Sequence, residues 1–330
     1  MLQNILKHTH RLTPPLCSFL NTSSSLSHEI ITAKISPSSP PPASYQSSII
    51  FLHGILGSGQ NLRSFARKVA NAYPGTKCVL VDLRGHGDSP SIVGPSNTNN
   101  TVDACADDVS ALMTNLSIKP KESILWGHSF GGKVVLSLLS NQVNHMPCKA
   151  AWIIDSQPGL VPLKGFHNNQ NPQSVEGIIG ALSTLKPPFE SKEMLMQQIG
   201  AHGIDRAIQT WMTTNVERDE NAQFQWKFNL DVVKELFVDY CQKDMWATLS
   251  NNNGSDDAAA LDPNVKLHLV RGMKNPFWER STTQELLESA LNSNSNLYCH
   301  DVDAGHWLHA EKPKELFDVM VGAGLEEDLL

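Results

Sequence analysis

The chain has 330 residues, 40% of them hydrophobic and 18% charged, which is enough apolar material for one large core. Its formal net charge is −7 and it has no run rich in Lys or Arg, so a nucleic-acid partner is not expected. No stretch approaches the ~18 consecutive apolar residues of a membrane span, so we expect no transmembrane segment.

The first 25 residues differ in composition from the rest of the chain. They carry Lys7 and Arg11 and a serine cluster at 23–25, and the first acidic residue is Glu29. A basic, serine-rich and acid-poor segment is typical of an organellar transit peptide, and the alternative is a plain disordered tail. We therefore predict a mitochondrial or chloroplast location for the protein, with the cytoplasm as the alternative.

From residue 28 onward, strand-like apolar runs alternate with amphipathic helical patterns. The strand-like runs are HEIITAKIS, SIIFLHG, CVLVDLRG, SILWG, AWIID, VKLHLVRG and LYCHDV. The first helical pattern places four apolar residues on one face, namely Leu62, Phe65, Ala66 and Val69. The second helical pattern begins after Thr101, a residue type that caps helices. Strands and helices that alternate at this spacing predict a mostly parallel sheet with helices on both faces.

The alternation stops at Asp155 and resumes near residue 264. Between about 157 and 263 the chain shows several helical patterns, such as SVEGIIGALSTL and DVVKELFVDYCQKDMW, and no convincing strand. We therefore predict a single α/β domain over 26–330, with a helical cap inserted after the sixth strand. Most aromatic residues of this cap are expected to pack internally, and a few to line a ligand pocket.

The segment GHSFGGKV, at 127–134, matches two motifs whose chemistries are incompatible. G-x-S-x-G places a serine nucleophile on a sharp strand-to-helix turn, whereas G-x-x-x-x-G-K-[ST] is a loop that binds phosphate. The eighth position of the phosphate loop must be Ser or Thr to hold magnesium, and here it is Val134. The missing hydroxyl argues against the phosphate loop and leaves Ser129 as the predicted nucleophile. Gly127 and Gly131 would let strand and helix meet almost in contact.

Two other segments supply the remaining parts of a serine hydrolase in the expected chain order. The loop that follows SIIFL offers the main-chain N–H of Ile55, which would form an oxyanion hole together with the N–H of Phe130. His53 is expected to hold this loop by a backbone hydrogen bond. After the last strand, AGHWLHAEKP offers His306 as the general base. No histidines and carboxylates show metal-ligand spacing, so neither a metal nor another cofactor is expected.

The four segments LHGILGS, DLRGHGDSP, GHSFGGK and AGHWLHAEKP together resemble the α/β-hydrolase superfamily. They are similar in particular to the small esterases grouped with α/β-hydrolase domain-containing protein 11 and its bacterial relatives. The resemblance implies an α/β-hydrolase fold and the cleavage of a small-molecule ester with an apolar acyl part, through an acyl-enzyme on Ser129. Thioesters and acylglycerols are equally compatible with this chemistry. The alternatives are a non-hydrolytic ligand receptor on the same fold and a lyase of the menaquinone-pathway type.

The acid that orients His306 is left open by the motifs. In many α/β-hydrolases it follows the strand matched by KLHLVRG, but that turn contains Asn275 and no carboxylate, and Glu279 lies further on. In the resembling esterase group, an Asp at an earlier strand end can serve, helped by a small polar residue at the later position. Asp155 and Asn275 fit that arrangement. The alternative is that Asp155 only caps the next segment.

We predict that the mature protein begins between Ser23 and His28, because removal of a transit peptide would cut away the acid-poor leader. N-terminal sequencing of the protein purified from organelles is the measurement. A native N-terminus at Met1 or Leu2 would show that the leader is only a tail.

Overall fold

The computed structural model describes six stretches of the chain, namely 25–34, 47–91, 99–140, 148–166, 171–250 and 264–329. The predicted leader lies outside these stretches except for its last residue, so the transit peptide and the location that follows from it stay predictions. Within the predicted cap, 167–170 and 251–263 lie outside them as well.

Nine strands form in the described residues, and seven of them make one central sheet. In chain order the strands are β1 (His28–Ile31), β2 (Ser47–Leu52), β3 (Thr76–Val81), β4 (Ser123–His128), β5 (Ala150–Ile154), β6 (Val216–Arg218), β7 (Phe224–Trp226), β8 (Lys266–Gly272) and β9 (Leu297–Val302). The order across the sheet is β1-β3-β2-β4-β5-β8-β9. Within this sheet only β1 runs antiparallel to its neighbour, so the prediction of a mostly parallel sheet is confirmed.

Twelve α-helices lie in the same residues, and none of them is both long and apolar enough to cross a membrane. In chain order the helices are α1 (Arg63–Ala72), α2 (Val102–Asn115), α3 (Phe130–Ser140), α4 (Val175–Leu182), α5 (Lys192–Gly200), α6 (Arg206–Met212), α7 (Leu230–Gln242), α8 (Trp246–Ser250), α9 (Ser281–Ser293), α10 (Leu308–Glu311), α11 (Pro313–Gly322) and α12 (Leu325–Leu329). Helices α1, α10, α11 and α12 pack on one face of the sheet, and α2, α3, α8 and α9 pack on the other. Both faces are covered, as predicted.

Alternation along the buried strands divides the core into two layers. On β2, Ile49 and Phe51 belong to the layer under α1, whereas Ile50 and Leu52 belong to the layer under α2 and α3. Successive strand residues point to opposite faces, so a strand that is covered on both sides must be apolar throughout. This is why the central strands β2, β4 and β5 read as apolar runs, whereas the partly exposed edge strands β1 and β9 are mixed.

Two helix predictions made from the sequence are confirmed. The predicted apolar face of the first helix is buried against the sheet at Leu62, Phe65, Ala66 and Val69. At the start of α2, the side-chain oxygen of Thr101 accepts a hydrogen bond from the N–H of Ala104 at 3.1 Å. This hydrogen bond satisfies one of the N–H groups that the first turn of a helix leaves unpaired.

Most of the insertion between β5 and β8 forms a cap of four helices, α4 to α7, above the carboxyl edge of the sheet, and its last helix, α8, packs against α3 and α9. It also contains an antiparallel hairpin of β6 and β7 that was not expected from the sequence. Each of these strands has three residues, which is too short for an alternating pattern to show. The cap leaves the sheet after the fifth strand, so the expected count of six was wrong. The described chain forms only the five strands whose apolar runs precede Asp155.

The tightest connection at the carboxyl edge joins β4 to α3 at Ser129. A Cβ atom on Gly127 would overlap the carbonyl group of Gly131, and a Cβ atom on Gly131 would overlap the carbonyl oxygen of Leu52. No larger residue can stand at either position unless the main chain moves. The two glycines therefore let α3 begin directly against the ends of β2 and β4.

We predict that Gly131→Ala lowers the free energy of unfolding by about 1–3 kcal/mol, the usual cost of overpacking a well-packed site. Gly322→Ala on α11 is the matched control, because a Cβ atom there meets nothing within 4 Å. In a helix, alanine is favoured over glycine by up to ~1 kcal/mol, so the control is expected to be neutral or slightly stabilising. Urea unfolding followed by circular dichroism measures both variants, and equal stability would contradict the close-approach argument.

Candidate active site

Three polar side chains from three separate loops meet at the carboxyl edge of the sheet. Ser129 lies in the turn between β4 and α3, Asp155 follows β5 directly, and His306 follows β9. Ser129 and Asp155 both have left-handed main-chain conformations, with φ of 52° and 43°. Residues other than glycine seldom adopt this conformation, and strain of this kind, on the order of 1–3 kcal/mol, concentrates at functional sites. The strain marks these two turns as candidates for such a site.

His306 is joined to the other two side chains by two hydrogen bonds. The hydroxyl of Ser129 lies 3.0 Å from Nε2 of His306, and Nδ1 of His306 lies 2.6 Å from Oδ2 of Asp155. Asp155 is completely buried, Ser129 is nearly so, and the His306 side chain is 28% exposed. An imidazole placed in this way can take the hydroxyl proton on one nitrogen while the carboxylate orients the other.

The carboxylate of Asp155 accepts three further hydrogen bonds, all from the segment that ends β8 and follows it. The N–H of Gly272 donates to Oδ1 at 2.9 Å, and Nε1 of Trp278 donates to the same oxygen at 2.6 Å. The side-chain amide of Asn275 donates to Oδ2 at 2.7 Å. Asn275 therefore supports the acid and does not replace it, and the buried negative charge is fully hydrogen-bonded.

Trp278 was not among the site residues predicted from the sequence. It stands 123 residues after the carboxylate to which it donates, and an apolar residue in a loop gives no local sign of such a contact. The other candidate acid, Glu279, is exposed, and no hydrogen bond to His306 or Asp155 is found for it in the described chain. The structure thus brings Asp155 to the imidazole and leaves Glu279 outside the site.

The loop after β2 is held in place by two buried histidines. Nδ1 of His53 donates to the carbonyl oxygen of Gly54 at 2.8 Å, and its Nε2 accepts from the N–H of Leu83 at 3.0 Å. Nε2 of His86 accepts from the N–H of Leu56 at 3.1 Å. Burial lowers the pKa of His53 to about 4 and that of His86 to about 3. Both rings are therefore neutral near pH 7, so they can accept hydrogen bonds from the main chain.

Two main-chain N–H groups beside the serine have no acceptor among the described residues. They belong to Ile55, in the loop after β2, and to Phe130, the first residue of α3. The first N–H groups of a helix have no partner inside it and lie at the positive end of its dipole. Both residues line the same cavity as Ser129, at the place where an oxyanion hole was predicted.

The loop that carries His306 is fixed from two sides. Nε2 of His128, the residue before the serine, lies 2.8 Å from the main-chain oxygen of His306. The carboxylate of Glu311 accepts from the N–H of Gly305 at 2.7 Å and from the N–H of Trp307 at 3.2 Å. Burial holds the pKa of His128 well below its usual value, so this ring is a weaker base than an ordinary histidine. Neither His128 nor Glu311 was assigned this role from the sequence.

A cavity of about 670 Å³ lies between the carboxyl edge and the cap, with Ser129 and His306 on its floor. The cap side of the cavity is mostly apolar, with Val161, Ile178, Trp211, Phe237 and Tyr240 in its wall. The other aromatic residues of the insertion, among them Phe224, Phe228 and Trp246, pack in the hydrophobic core, as expected for most of them. No group of three His, Cys, Asp or Glu side chains in the described stretches could hold a metal ion.

Comparisons with known proteins cover most of the chain. The protein-family model for the alpha/beta hydrolase fold matches residues 48–313, a stretch that includes Ser129, Asp155 and His306. The chain is 25% identical over 296 residues to the sn-1-specific diacylglycerol lipase ABHD11 of Danio rerio, across 83% of this chain and 77% of that one. It is 24% identical over 269 residues to the esterase YbfF of Escherichia coli (strain K12), across 81% and 89% of the two chains. A solved structure of a marine microorganism esterase superposes with a TM-score of 0.69 and 20% identity, across 91% and 99%.

We predict that Asn275→Ala and Trp278→Phe each slow the covalent labelling of Ser129 by a fluorophosphonate about tenfold or more. Each change removes one hydrogen bond to a buried carboxylate, a contribution of about 1.5–3 kcal/mol, and loosens the aspartate that orients His306. Glu279→Gln is the matched control, since it alters a neighbouring exposed carboxylate and should label at the wild-type rate. If Glu279→Gln is labelled slowly while Asn275→Ala and Trp278→Phe are labelled at the wild-type rate, the orienting carboxylate would be Glu279 instead.

Proposed function

Because this chain belongs to the α/β-hydrolase family, we propose that it is a serine hydrolase that cleaves carboxylic esters through an acyl-enzyme on Ser129. The observation that carries the proposal is the unbroken pair of hydrogen bonds from the Ser129 hydroxyl through His306 to Asp155. The three residues lie on the floor of a cavity, at the edge of the sheet where parallel strands end.

In the first half of the proposed reaction, Oγ of Ser129 attacks the ester carbonyl carbon while Nε2 of His306 takes the hydroxyl proton. The imidazolium that forms is stabilised by the adjacent carboxylate of Asp155, which burial removes from competing water. The carbonyl oxygen becomes negative and would accept hydrogen bonds from the N–H groups of Ile55 and Phe130. Each such donor lowers the barrier by roughly 3–4 kcal/mol in serine hydrolases.

The first half ends when the ester C–O bond breaks and His306 gives its proton to the leaving alcohol, which leaves the acyl-enzyme. In the second half, His306 takes a proton from a water molecule that attacks the acyl carbon, and the same two N–H groups stabilise the second oxyanion. The bond to Oγ of Ser129 then breaks, His306 returns the proton to Oγ, and the carboxylic acid is released. Two features favour repeated turnover over a single acylation of Ser129. The side chain of His306 is partly exposed and lines the cavity, which gives water a route to the imidazole, and the main chain around it is fixed by His128 and Glu311.

The proposed substrate is a small-molecule ester with an apolar acyl part. This is supported by the apolar cap wall of the cavity, to which Phe237 and Tyr240 belong. Acylglycerols belong to this class, and the name of the Danio rerio relative, a diacylglycerol lipase, supports their inclusion. Thioesters would react by the same acyl-enzyme steps.

A second candidate is a lyase of the menaquinone-pathway type, which acts on a carboxylate-bearing substrate. It is favoured by three cationic side chains in the cavity lining, those of Lys164, Lys274 and Arg280. Against it, Lys274 already pairs with Asp303 at 3.1 Å. An elimination needs a base but no covalent bond to Ser129, so detection of an acyl-enzyme separates the two candidates.

We predict that Ser129→Ala abolishes both the turnover of a nitrophenyl ester and labelling by a fluorophosphonate, because no other group can form the covalent adduct.

Asp155→Asn should lower kcat on the order of 10³–10⁴-fold, because an amide cannot stabilise the imidazolium. Steady-state kinetics and mass spectrometry of the labelled protein give the two measurements, with circular dichroism to verify folding.

Labelling that survives in Ser129→Ala would refute the nucleophile assignment. A burst of one product molecule per wild-type protein without further turnover would instead identify a ligand receptor on the same fold. Continued turnover after the burst supports the hydrolase.

A further inference from the structure

A second buried charge lies one helical turn after the nucleophile and takes no part in the proposed reaction. Lys133, on α3, is completely buried, and burial lowers the pKa of its ammonium to about 8. At pH 7 the group is still protonated and has three N–H donors to satisfy. It donates to the main-chain oxygens of Gly159 at 2.8 Å, Tyr240 at 2.6 Å and Lys243 at 2.7 Å. An ammonium saturated by the main chain is not a phosphate ligand, which removes the phosphate-loop alternative.

Two of these three oxygens belong to the C-terminal end of α7. The last carbonyl groups of a helix have no partner inside it, and this end carries partial negative charge. Because α7 ends at Gln242 and Lys243 is its C-cap, the ammonium of Lys133 caps α7 from a different helix. The third oxygen, on Gly159, belongs to the chain that leaves the sheet after β5 and leads into the cap. One side chain therefore ties two parts of the cap to the nucleophile helix.

The helix that is capped in this way forms part of the cavity wall. Phe237 and Tyr240, both on α7, line the cavity. The ring centroid of Tyr240 lies 6.0 Å from that of Phe130 and 4.3 Å from Nζ of Lys133. Phe130 is the first residue of α3 and provides a proposed oxyanion donor. Lys133 therefore fixes the spacing between the apolar wall and the helix on which the reacting carbonyl would rest.

An ammonium is a costly way to hold these elements together. Burial of a charge costs several kcal/mol unless the charge is well paired, and no carboxylate hydrogen-bonds to this one in the described chain. The nearby Asp103 pairs with Nζ of Lys243 at 2.6 Å. An unbranched apolar side chain of similar length, such as methionine, would fill the space without that cost. What the ammonium adds is a defined position for the end of α7.

We propose that Lys133 determines acyl-chain selectivity, by holding the α7 wall at the position where a long acyl chain packs along Phe237 and Tyr240. The inference rests on the proposed ester hydrolysis. Lys133 acts on the binding of the chain and not on the chemistry at Ser129, because its ammonium hydrogen-bonds to none of Ser129, His306 or Asp155. An acetyl group offers a single methyl group to the wall, so it should sense the change far less than a long chain.

The test compares nitrophenyl acetate and nitrophenyl octanoate on the full-length protein. In Lys133→Met we expect KM for the octanoate to rise about tenfold while kcat stays within about twofold, because the variant loses binding that is uniform along the reaction. Both constants for the acetate should stay within about twofold of the wild type. A defect that only loosened the fold would lower kcat for both esters together.

Lys243→Met is the matched control. It removes a cation from the same end of α7 but leaves all three carbonyl acceptors of Lys133 in place, so both esters should behave as in the wild type. If Lys133→Met does not yield folded protein, Lys133→Gln takes its place. Its shorter, uncharged amide has two N–H donors, and we expect the same rise in KM for the octanoate.

Three outcomes would overturn the inference. They are an unchanged octanoate KM in a folded Lys133 variant, an equal loss for both esters, and a loss of the same size in Lys243→Met. If the wild type turns over neither ester, the proposed function fails and this inference fails with it. If only this inference fails, the wild type hydrolyses both esters and the Lys133 variant has the same KM and kcat values as the wild type.

Discussion

The buried carboxylate of Asp155 is the constraint on which the rest of the site depends. A carboxylate without partners inside a protein is very costly, and this one is surrounded by donors from Gly272, Asn275, Trp278 and His306. The donors lie at or beyond the ends of β8 and β9, so the charge is satisfied only when β5, β8 and β9 lie side by side in register. The same hydrogen bonds orient the imidazole that faces Ser129. The hydrogen bonds that satisfy the buried carboxylate of Asp155 therefore also position the imidazole of His306.

Parts of the site that depend on local pattern could be predicted from the sequence. Ser129 was identified from the glycines around it, and His306 from its position after the last strand. The sheet could be predicted because a strand buried on both faces is apolar throughout, whereas the three-residue strands of the cap hairpin give no pattern. The acid needed the resemblance to a family, because the hydrogen bond that distinguishes Asp155 joins residues 151 positions apart.

Residues whose roles depend on distant partners could not be predicted. The oxygens that Lys133 binds are 26, 107 and 110 residues away, and Trp278 is 123 residues from its acceptor. The pKa values of the histidines could not be predicted either, although roles for His53 and His306 could. His53, His128 and His306 are alike as sequence letters, yet burial lowers the pKa of the first two and makes them neutral supports of the main chain. Only His306 presents a nitrogen to the serine hydroxyl, and this difference arises from packing alone.

The positions of these residues along the chain also bear on when the chemistry becomes possible. His306 follows Ser129 by 177 residues and Asp155 by 151, and it is carried by β9, which adds to the sheet at its edge. A ribosome therefore makes the serine and the carboxylate long before it makes the imidazole. Under the proposed mechanism, a nascent chain that ends before the edge strand lacks His306 as a proton acceptor and would cleave esters far more slowly. Ester cleavage would thus report that synthesis has passed His306 and that β9 has joined the sheet.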